Sequence, residues 1–453
     1  MPDIAQLENE LNSSDPTERA DALCSISARI DMGEIRVPGE KNEVNLHYHT
    51  FFSYNSEGWS PSRIAWEAKK YGLSIAGIVD FDVLDGMEEF LAAGEIIDLR
   101  TTVAVESRVF IREYAGQAIH SPKEPGVSCF MAAGCFKIPE EGSHTSRLLQ
   151  NMRVLASRRN IQMLERINLH LGKIQLDYEA DVLPLTPSGN AAEHHIFAAC
   201  DAKARQVFGD NNNALAEFWA KTLEIAKDDV EVILRDTPKL HNMMRNKLMN
   251  YDGAEDVEST TDTFPPIEQM IEMAQGMHAL PMAVYLDGTN PGESDILKLL
   301  SLMESKGAVA MNIAPERNWN INNPSEKIVK LDNLAAAIRA ARKIDFPICV
   351  GTEMNEAGLP FVDNFHAPEL APYIDDFIKG AYFLWGHTFL SRAADMGFAS
   401  EWARAHFGND RPAKNDFYER IGRLASAKKI RMVASGANLR TASPNEVLRL
   451  LQV

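Results

Sequence analysis

The chain has 453 residues, of which 45% are hydrophobic, so it can bury a substantial core and is long enough for one large domain with insertions or for two or three domains. Its 46 Lys and Arg residues against 64 Asp and Glu residues give a net charge of −18, which disfavours nucleic-acid backbones and anionic membrane surfaces as partners. Five scattered cysteines without a Cys-x-x-Cys pair argue against a disulfide framework or a zinc knuckle, and they favour a cytoplasmic location.

The amino-terminal region predicts two short helices. Helical periodicity over residues 3–31 breaks near Ser13, where Ser14 or Asp15 can cap the second helix and Pro16 can occupy its first turn. The terminus is acidic, and no apolar run reaches a membrane-spanning length, so we expect neither an export signal nor an anchor. We interpret residues 1–41 as a helical extension.

A His-x-His pair follows the first predicted strand. Val44 to Leu46 is a short apolar run, and His47 and His49 come directly after it. Since side chains alternate between the two faces of a strand, both imidazoles point the same way and can bind one divalent metal ion. Taken alone, the pair is equally typical of an exposed strand end.

Later predicted strands also finish on polar residues. A helix capped by Ser60 and ended by Gly72 precedes a strand at 73–79, and a helix at 85–93 closed by Gly94 precedes a strand at 102–105. This alternation predicts an α/β fold with parallel strands, whose carboxyl ends meet at one mouth in a barrel. The polar residues at these ends are Asp80, Glu106, Asp287 after the strand at 281–286, Glu316 and Arg317 after 308–313, and Glu353 after 346–351.

Between Thr145 and about Leu280 the pattern becomes helical. We interpret this region as a helical insertion, which can serve as a lid over the mouth, as a dimer interface of a homo-oligomer, or as both. The predicted elements are helices at 147–171, 192–207, 214–225 and 239–249, one strand at 181–185, an acidic surface loop at 250–262, and a helical tail from Gly380 onward.

The order of these residues resembles the PHP family (polymerase and histidinol phosphatase), which are metal-dependent phosphoesterases built on a distorted seven-stranded α/β barrel. The resemblance implies a distorted, TIM-barrel-like (β/α)7 fold whose first part spans 42–140 and whose second part, with carboxyl-terminal helices, spans 281–453, around a mostly helical insertion at 141–280. It is strongest over residues 42–110 and rests on Asn45-Leu46-His47-Tyr48-His49-Thr50, Ser53, Ser60-Pro61, Gly72-Leu73, Gly77-Ile78-Val79-Asp80, Leu84-Asp85-Gly86 and Glu106.

The resemblance also implies a set of metal ligands. Residue by residue, these are His47, His49, Asp80, Glu106, His195 and Glu353. The choice of His195 over its neighbour His194 rests on its position relative to Ile196. Asn355 falls where the family has a histidine, and it offers a weaker neutral oxygen.

Three further positions depart from the family pattern. Phe81 stands where the family has a histidine, Leu286-Asp287 stands where it has His-Pro, and His120 is only a loose counterpart of the histidine that follows the glutamate. The resemblance therefore implies one or two divalent ions, Mn, Zn or Fe, rather than three.

The expected function is the hydrolysis of a phosphoester in a small, phosphorylated substrate by a metal-activated water. Asp80 or Asp287 would orient the water or take its proton, and Arg317, Asn355 and His194 would contact the substrate. Two alternatives stay open: hydrolysis or isomerisation of an amide, lactone or sugar derivative at the same metal, or a non-catalytic ligand-binding protein with a degenerate site.

Overall fold

The computed structural model describes residues 2–249, 259–435 and 439–452. Its strands are β1 (Val44–Tyr48), β2 (Ile75–Phe81), β3 (Arg100–Phe110), β4 (Val127–Ala133), β5 (Leu280–Tyr285), β6 (Ala310–Ile313) and β7 (Ile348–Val350). Its helices are α1 (Ile4–Glu10), α2 (Pro16–Asp31), α3 (Pro61–Tyr71), α4 (Met87–Ile97), α5 (His144–Leu171), α6 (Glu193–Phe208), α7 (Asn212–Leu223), α8 (Lys227–Ile233), α9 (Thr237–Leu248), α10 (Ile267–Gly276), α11 (Ile296–Lys306), α12 (Glu316–Trp319), α13 (Pro324–Lys343), α14 (Ile374–Ala394), α15 (Glu401–Phe407), α16 (Arg411–Leu424), α17 (Lys429–Ser435) and α18 (Pro444–Leu451).

The fold is mixed α/β, with a seven-stranded sheet in the order β1 to β7 that curves into a nearly closed barrel. Its two ends meet just past β7, where the Glu353 amide donates to the His47 carbonyl at 2.7 Å and the His49 amide donates to the Glu353 carbonyl at 2.8 Å. Glu353 has φ +66°, a left-handed conformation that is costly for a residue with a Cβ. The closure therefore holds Glu353 in a strained position directly beside the His-x-His strand.

The predicted parallel pairing is confirmed for the first three and the last three strands of the sheet, and it is wrong for the strand between them. β1, β2 and β3 pair in parallel, as do β5, β6 and β7, whereas β4 runs antiparallel to both of its neighbours. Residues 127–133 were not predicted as a strand, and β3 was expected to stop at Glu106. Instead, β3 continues to Phe110 because β4 pairs with it as far as Val127.

Local sequence signals explain most helix boundaries. Asp15 caps α2 with Pro16 in its first turn, and Ser60 caps α3, which ends at Gly72 with φ +91°. The predicted end of α4 at Gly94 is wrong, because this glycine lies inside the helix, where an added Cβ would come within 2.4 Å of the Thr101 hydroxyl. Gly94 thus permits close approach of α4 to β3, and the helix ends at Ile97, followed by a capping Asp98 in the left-handed region.

The helices α5 to α9 surround a hydrophobic cluster of their own. Its members include Leu164, Phe197 and Trp219, and it is separate from the main cluster around the sheet. The predicted strand at 181–185 is wrong: this segment forms a π-helical turn and a short 3₁₀ turn, and Pro184 lies within the latter. α8 was not predicted, and most of the predicted acidic loop at 250–262 lies outside the described residues.

Asn190 joins this helical region to the mouth of the barrel. The Asn190 side chain donates to the carbonyls of Phe52 at 3.2 Å and of Phe81 at 2.8 Å. Across the described ranges, no helix is both long and apolar enough to cross a lipid bilayer.

Candidate metal centre

Two imidazoles and one carboxylate converge at the mouth of the barrel. The Nε2 atoms of His47 and His49 lie 3.3 Å apart, and Glu106 Oε2 lies 3.4 Å from the first and 3.8 Å from the second. All three side chains are buried, and within the described residues they form the one group of three such ligands whose donor atoms approach within 4.8 Å of one another. The structure thus brings together the pair on β1 and the acid on β3.

Hydrogen bonds on the far side of each ring fix which nitrogen faces the centre. His47 Nδ1 lies 3.1 Å from Asn312 Oδ1, an acceptor, so this nitrogen carries the proton. His49 Nδ1 lies 3.0 Å from the Ser53 hydroxyl, which itself donates to Asp80 at 2.7 Å and therefore accepts from the ring. In the neutral rings both Nε2 atoms therefore carry lone pairs, 3.3 Å apart, and a cation bound to both would relieve their repulsion.

The spacing of the donor atoms fits a metal ion. With bond lengths of about 2.0–2.1 Å, two nitrogens on a tetrahedral zinc ion lie roughly 3.3–3.4 Å apart, as the two Nε2 atoms do. Two neutral imidazoles and a carboxylate suit zinc, iron or manganese. Three protein ligands also leave room for water or substrate, as in catalytic rather than structural sites.

The charges at the centre favour one added positive charge. Burial lowers the pKa of His47, but the neighbouring Glu106 and Glu353 carboxylates and Asn312 raise it, and the net shift is upward. Burial and the neighbouring His47 lower the pKa of His49 well below its ordinary value. The cluster therefore accommodates either a proton on His47 or a cation shared by all three groups, and metal affinity should fall with decreasing pH.

A glycine and an asparagine hold His47 in place. Asn45 Oδ1 accepts from the His47 amide at 3.0 Å, while its amide group donates to Thr352 at 2.6 Å. A Cβ on Gly351 would lie 2.3 Å from the His47 Cβ. The β1 and β7 backbones can approach this closely only because residue 351 has no side chain.

Asp80, expected among the metal ligands, lies one layer behind them. Its two oxygens accept hydrogen bonds from the Thr50 amide, the Thr50 hydroxyl and the Ser53 hydroxyl, at 2.7–2.8 Å. Burial raises the pKa of Asp80 to about 6, although these hydrogen bonds act to lower it. The carboxylate is thus committed to orienting His49 through Ser53, and it is not part of the three-ligand group.

Glu353 lies next to the centre but is paired with Arg317. Its Oε2 accepts from Arg317 Nη2 at 2.7 Å and from Asn355 Nδ2 at 3.3 Å. Burial acts to raise the pKa of Glu353, but the opposing effects of Arg317 and His47 are larger, and the pKa falls to about 2. Glu353 is therefore an ionised neighbour of the centre outside the three-ligand group, and the Arg317 side chain, 41% exposed, retains donors for a ligand.

His194 and His195 lie at the start of α6, and the rings of both contact Tyr54. The ring of His194 stacks on Tyr54 at 4.4 Å, and that of His195 meets it edge-on at 5.4 Å. His195 Nδ1 accepts from the Ala192 amide at 3.0 Å, and burial lowers its pKa to about 4. Because Nε2 must then carry the proton of the neutral ring, this histidine acts as a helix cap and is not brought into the ligand group.

Two further expected residues lie in or against the turn after β5: Asp287 is part of it, and His120, from the connection between β3 and β4, contacts it. Asp287 accepts from the Thr289 amide at 3.0 Å and pairs with Lys330 at 3.2 Å, which ties its carboxylate into the turn rather than presenting it to the centre. His120 Nε2 lies 3.4 Å from the buried carboxylate of Glu293, which accepts three backbone amides of this turn. Both residues therefore have structural partners.

Two residues near the centre were missed from sequence, and a third, Phe81, was noted only as a departure from the family pattern. The ring of Phe81 stacks on His49, with ring centroids 4.5 Å apart. Asn312 orients His47, and a polar residue inside the apolar run of β6 was the signal that could have identified it. Cys129, partly exposed on β4, lies on the same face as Glu106 and gave no signal because β4 itself was not predicted.

Comparisons with known proteins give no family assignment. No protein-family model matches the chain, and no curated protein sequence matches it. Among solved structures, the chain is similar to an amidohydrolase from Chromobacterium violaceum, solved with bound sulfate and no metal, with a TM-score of 0.46 and 12% identity over 74% of this chain and 96% of that one. It is also similar to a candidate metal-dependent phosphoesterase from Bifidobacterium adolescentis, with a TM-score of 0.46 and 16% identity over 76% of this chain and 98% of that one.

Proposed function

We propose that the protein is a metal-dependent hydrolase whose substrate is a phosphoester, with His47, His49 and Glu106 holding the metal. The observation that carries the proposal is the pair of Nε2 atoms 3.3 Å apart, each fixed by an acceptor on the opposite side of its ring. The resemblance of residues 42–110 to the PHP family supports the choice of a phosphoester. A bound divalent ion supplies Lewis acidity at this point and lowers the pKa of water.

Arg317 is the candidate binder of the phosphate oxygens. Glu353 holds one edge of its guanidinium at 2.7 Å, which restricts the orientation of the group and reduces the entropy lost on binding. The remaining N–H groups can donate to two oxygens of a planar or tetrahedral anion. Asn355, hydrogen-bonded to the same carboxylate, extends this polar wall.

His194 is the candidate group for exchanging a proton with the substrate. It is half-buried, it stacks on Tyr54, and its charge contributes to lowering the pKa of His49. Burial lowers the pKa of His194, so the ring is neutral near pH 7 and can accept a proton. We assign the role of proton acceptor to His194 instead of Asp80 or Asp287, because both carboxylates are engaged elsewhere.

The helices α5 to α9 form the proposed cover of the site. Arg245 on α9 donates to Glu193 at the start of α6, at 2.5 Å, and to Glu356 in the loop after β7, at 2.7 Å. This double ion pair links the cover to the wall that carries Glu353. A covered mouth excludes bulk water from the reacting group.

The test is a substrate panel on full-length protein loaded with Mn, Zn or Fe. We expect phosphomonoesters, or cyclic or dinucleotide phosphates, to be hydrolysed by the wild type and by the control His366→Ala, whose histidine side chain is 87% exposed, and not by His47→Ala. Absence of any phosphoester turnover in the metal-loaded protein would contradict the proposal that the substrate is a phosphoester. Hydrolysis of an amide, lactone or sugar derivative that His47→Ala abolishes would then establish the alternative substrate class.

A further inference from the structure

β3 carries an arginine beyond the candidate metal centre. Glu106 and Arg108 are two residues apart on the strand, so their side chains lie on the same face, about 7 Å apart along it. Cys129, directly opposite Arg108 on β4, shares this face and is partly exposed. The hairpin of β3 and β4 thus extends the face that carries Glu106 outward past the metal ligands.

A second arginine reaches the same place from α5. Arg159 Cζ lies 4.6 Å from the centroid of the Phe264 ring, and Arg108 Cζ lies 5.0 Å from it. Phe264 is fully buried, so the ring is a fixed support for both cations. Two like charges on one aromatic ring repel each other, and an anion between them would reduce that repulsion.

Of the two arginines, only Arg108 has a carboxylate partner within the described residues. Arg108 forms an ion pair with Glu124, and both side chains are partly exposed. Arg159 donates to the Thr263 carbonyl at 2.7 Å, and among the residues that the structure describes it forms no ion pair with a carboxylate. Burial lowers the pKa of Arg159 to about 10, with Asp82 acting against the shift and Arg108 adding to it, as expected for an under-compensated cation.

We propose that Arg108 and Arg159 form a second anion-binding subsite, which takes a carboxylate or phosphate at the far end of the substrate. The inference rests on the proposed function for where the phosphoester binds, at the metal centre and Arg317. It narrows the substrate class to phosphoesters that carry another anionic group several bonds away. Two guanidinium groups suit either anion, since both present paired oxygens.

Three probes with one six-carbon chain test the subsite: hexane-1,6-diol monophosphate, 6-phosphooxyhexanoate and hexane-1,6-diol bisphosphate. Their far ends are a hydroxyl, a carboxylate and a phosphate. We expect metal-loaded wild-type protein to bind the two anionic ends at least about 10-fold more tightly than the hydroxyl end, as measured by calorimetry. The carboxylate and phosphate probes also show which anion the subsite prefers.

Substitutions test which residues cause the preference for probes with an anionic far end. Arg108→Met and Arg159→Met should each reduce it to below about 3-fold, with little change in affinity for the hydroxyl-ended probe. Arg112→Met, which removes a neighbouring exposed arginine from the same hairpin, should leave the preference unchanged. Glu124→Gln should increase the preference, because it removes the carboxylate that competes for Arg108.

The outcomes separate this subsite from the proposed function. Equal affinity for all three probes, or a preference that survives both methionine substitutions, would overturn the subsite and leave the phosphoesterase proposal intact. If the phosphoester proposal fails instead, the hydroxyl-ended monophosphate will not bind, whereas adipate will still bind the wild type more tightly than Arg108→Met. Should a methionine variant fail to fold, Arg159→Lys and Glu124→Gln still decide, since a merely structural pair would show no change in preference.

Discussion

The ends of the parallel strands and the antiparallel hairpin of β3 and β4 build the mouth in different ways. The strand ends deliver buried groups whose orientation is fixed by hydrogen bonds: His47 to Asn312, and His49 through Ser53 to Asp80. The hairpin delivers partly exposed groups, Arg108 and Cys129, that lie beyond the strand-end positions. From this difference we infer that the strand-end residues hold the metal in a fixed position, whereas the hairpin residues contact the part of a ligand that lies beyond the metal.

The largest expected effect comes from removing a metal ligand. Glu106→Gln should lower affinity for zinc by more than the roughly 10- to 100-fold that loss of an outer hydrogen-bond partner costs, because a neutral amide cannot balance the charge between two imidazoles. Zinc titration by calorimetry measures it. Glu113→Gln, which changes an exposed glutamate just past β3, is the matched control and should bind zinc like the wild type.

The second prediction concerns the loss of stability when each of two glycines is replaced by alanine. Gly351→Ala should cost about 1–3 kcal/mol of unfolding free energy, because its Cβ would overlap His47 across the closure of the barrel. Gly116→Ala in the loop between β3 and β4 should cost much less, since nothing lies within 4 Å of its Cβ position. Denaturant unfolding of both variants checks this, and equal stability would mean that the closure is not tightly packed.

The third effect concerns the layer behind His49. Ser53→Ala should weaken metal binding about 10- to 100-fold by freeing the His49 ring, with a smaller change in stability. The same substitution at Ser25, an exposed helix position, should change neither quantity. If Ser53→Ala binds metal normally, the chain from Asp80 to His49 has no role in the site.

The smallest effect is a pH dependence at a carboxylate away from the metal ligands. Burial, helped by the charge of Glu316, raises the pKa of Asp363 to about 6, although its hydrogen bonds from Trp319 and Asn364 act to lower it. The folded state therefore retains this proton between about pH 4 and 6, and the contribution of Asp363 to stability falls as pH rises through that window.

Asp363→Asn should remove the loss of stability that Asp363 causes as pH rises. Its unfolding free energy relative to the wild type should increase from pH 4 to pH 6 and then level off, with a total on the order of 1–3 kcal/mol. Chemical denaturation at a series of pH values measures the difference. A difference that does not vary with pH would show that Asp363 titrates normally in the folded protein.

Much of the metal centre could be predicted from sequence because it lies where local signals are strong. A strand places His47 and His49 on one face whatever surrounds it, and parallel strands end at a common mouth, so Glu106 was expected nearby. Asp80 was also expected nearby, but its position in the second layer depends on Thr50 and Ser53 folding back over it. That contact is tertiary and leaves no periodic trace in the sequence.

The hairpin was missed for a related reason. Ser128-Cys129-Phe130-Met131 is a short, nearly uninterrupted apolar run that resembles a buried strand or a piece of helix, and the connection at 111–126 is too long for a tight hairpin turn. Once β4 is overlooked, β3 ends at Glu106 and Arg108 lies in a loop. Arg159 was likewise counted as part of a long amphipathic helix, since its partner ring, Phe264, is distant in sequence.

X-ray absorption spectroscopy of zinc-loaded protein shows whether His47 and His49 bind the same ion. We expect one tightly bound ion in wild-type protein, with a spectrum that requires two imidazole ligands, and only one imidazole on any zinc retained by His49→Ala. Protein that binds no stoichiometric metal, or a spectrum without paired imidazoles that His49→Ala leaves unchanged, would contradict this expectation.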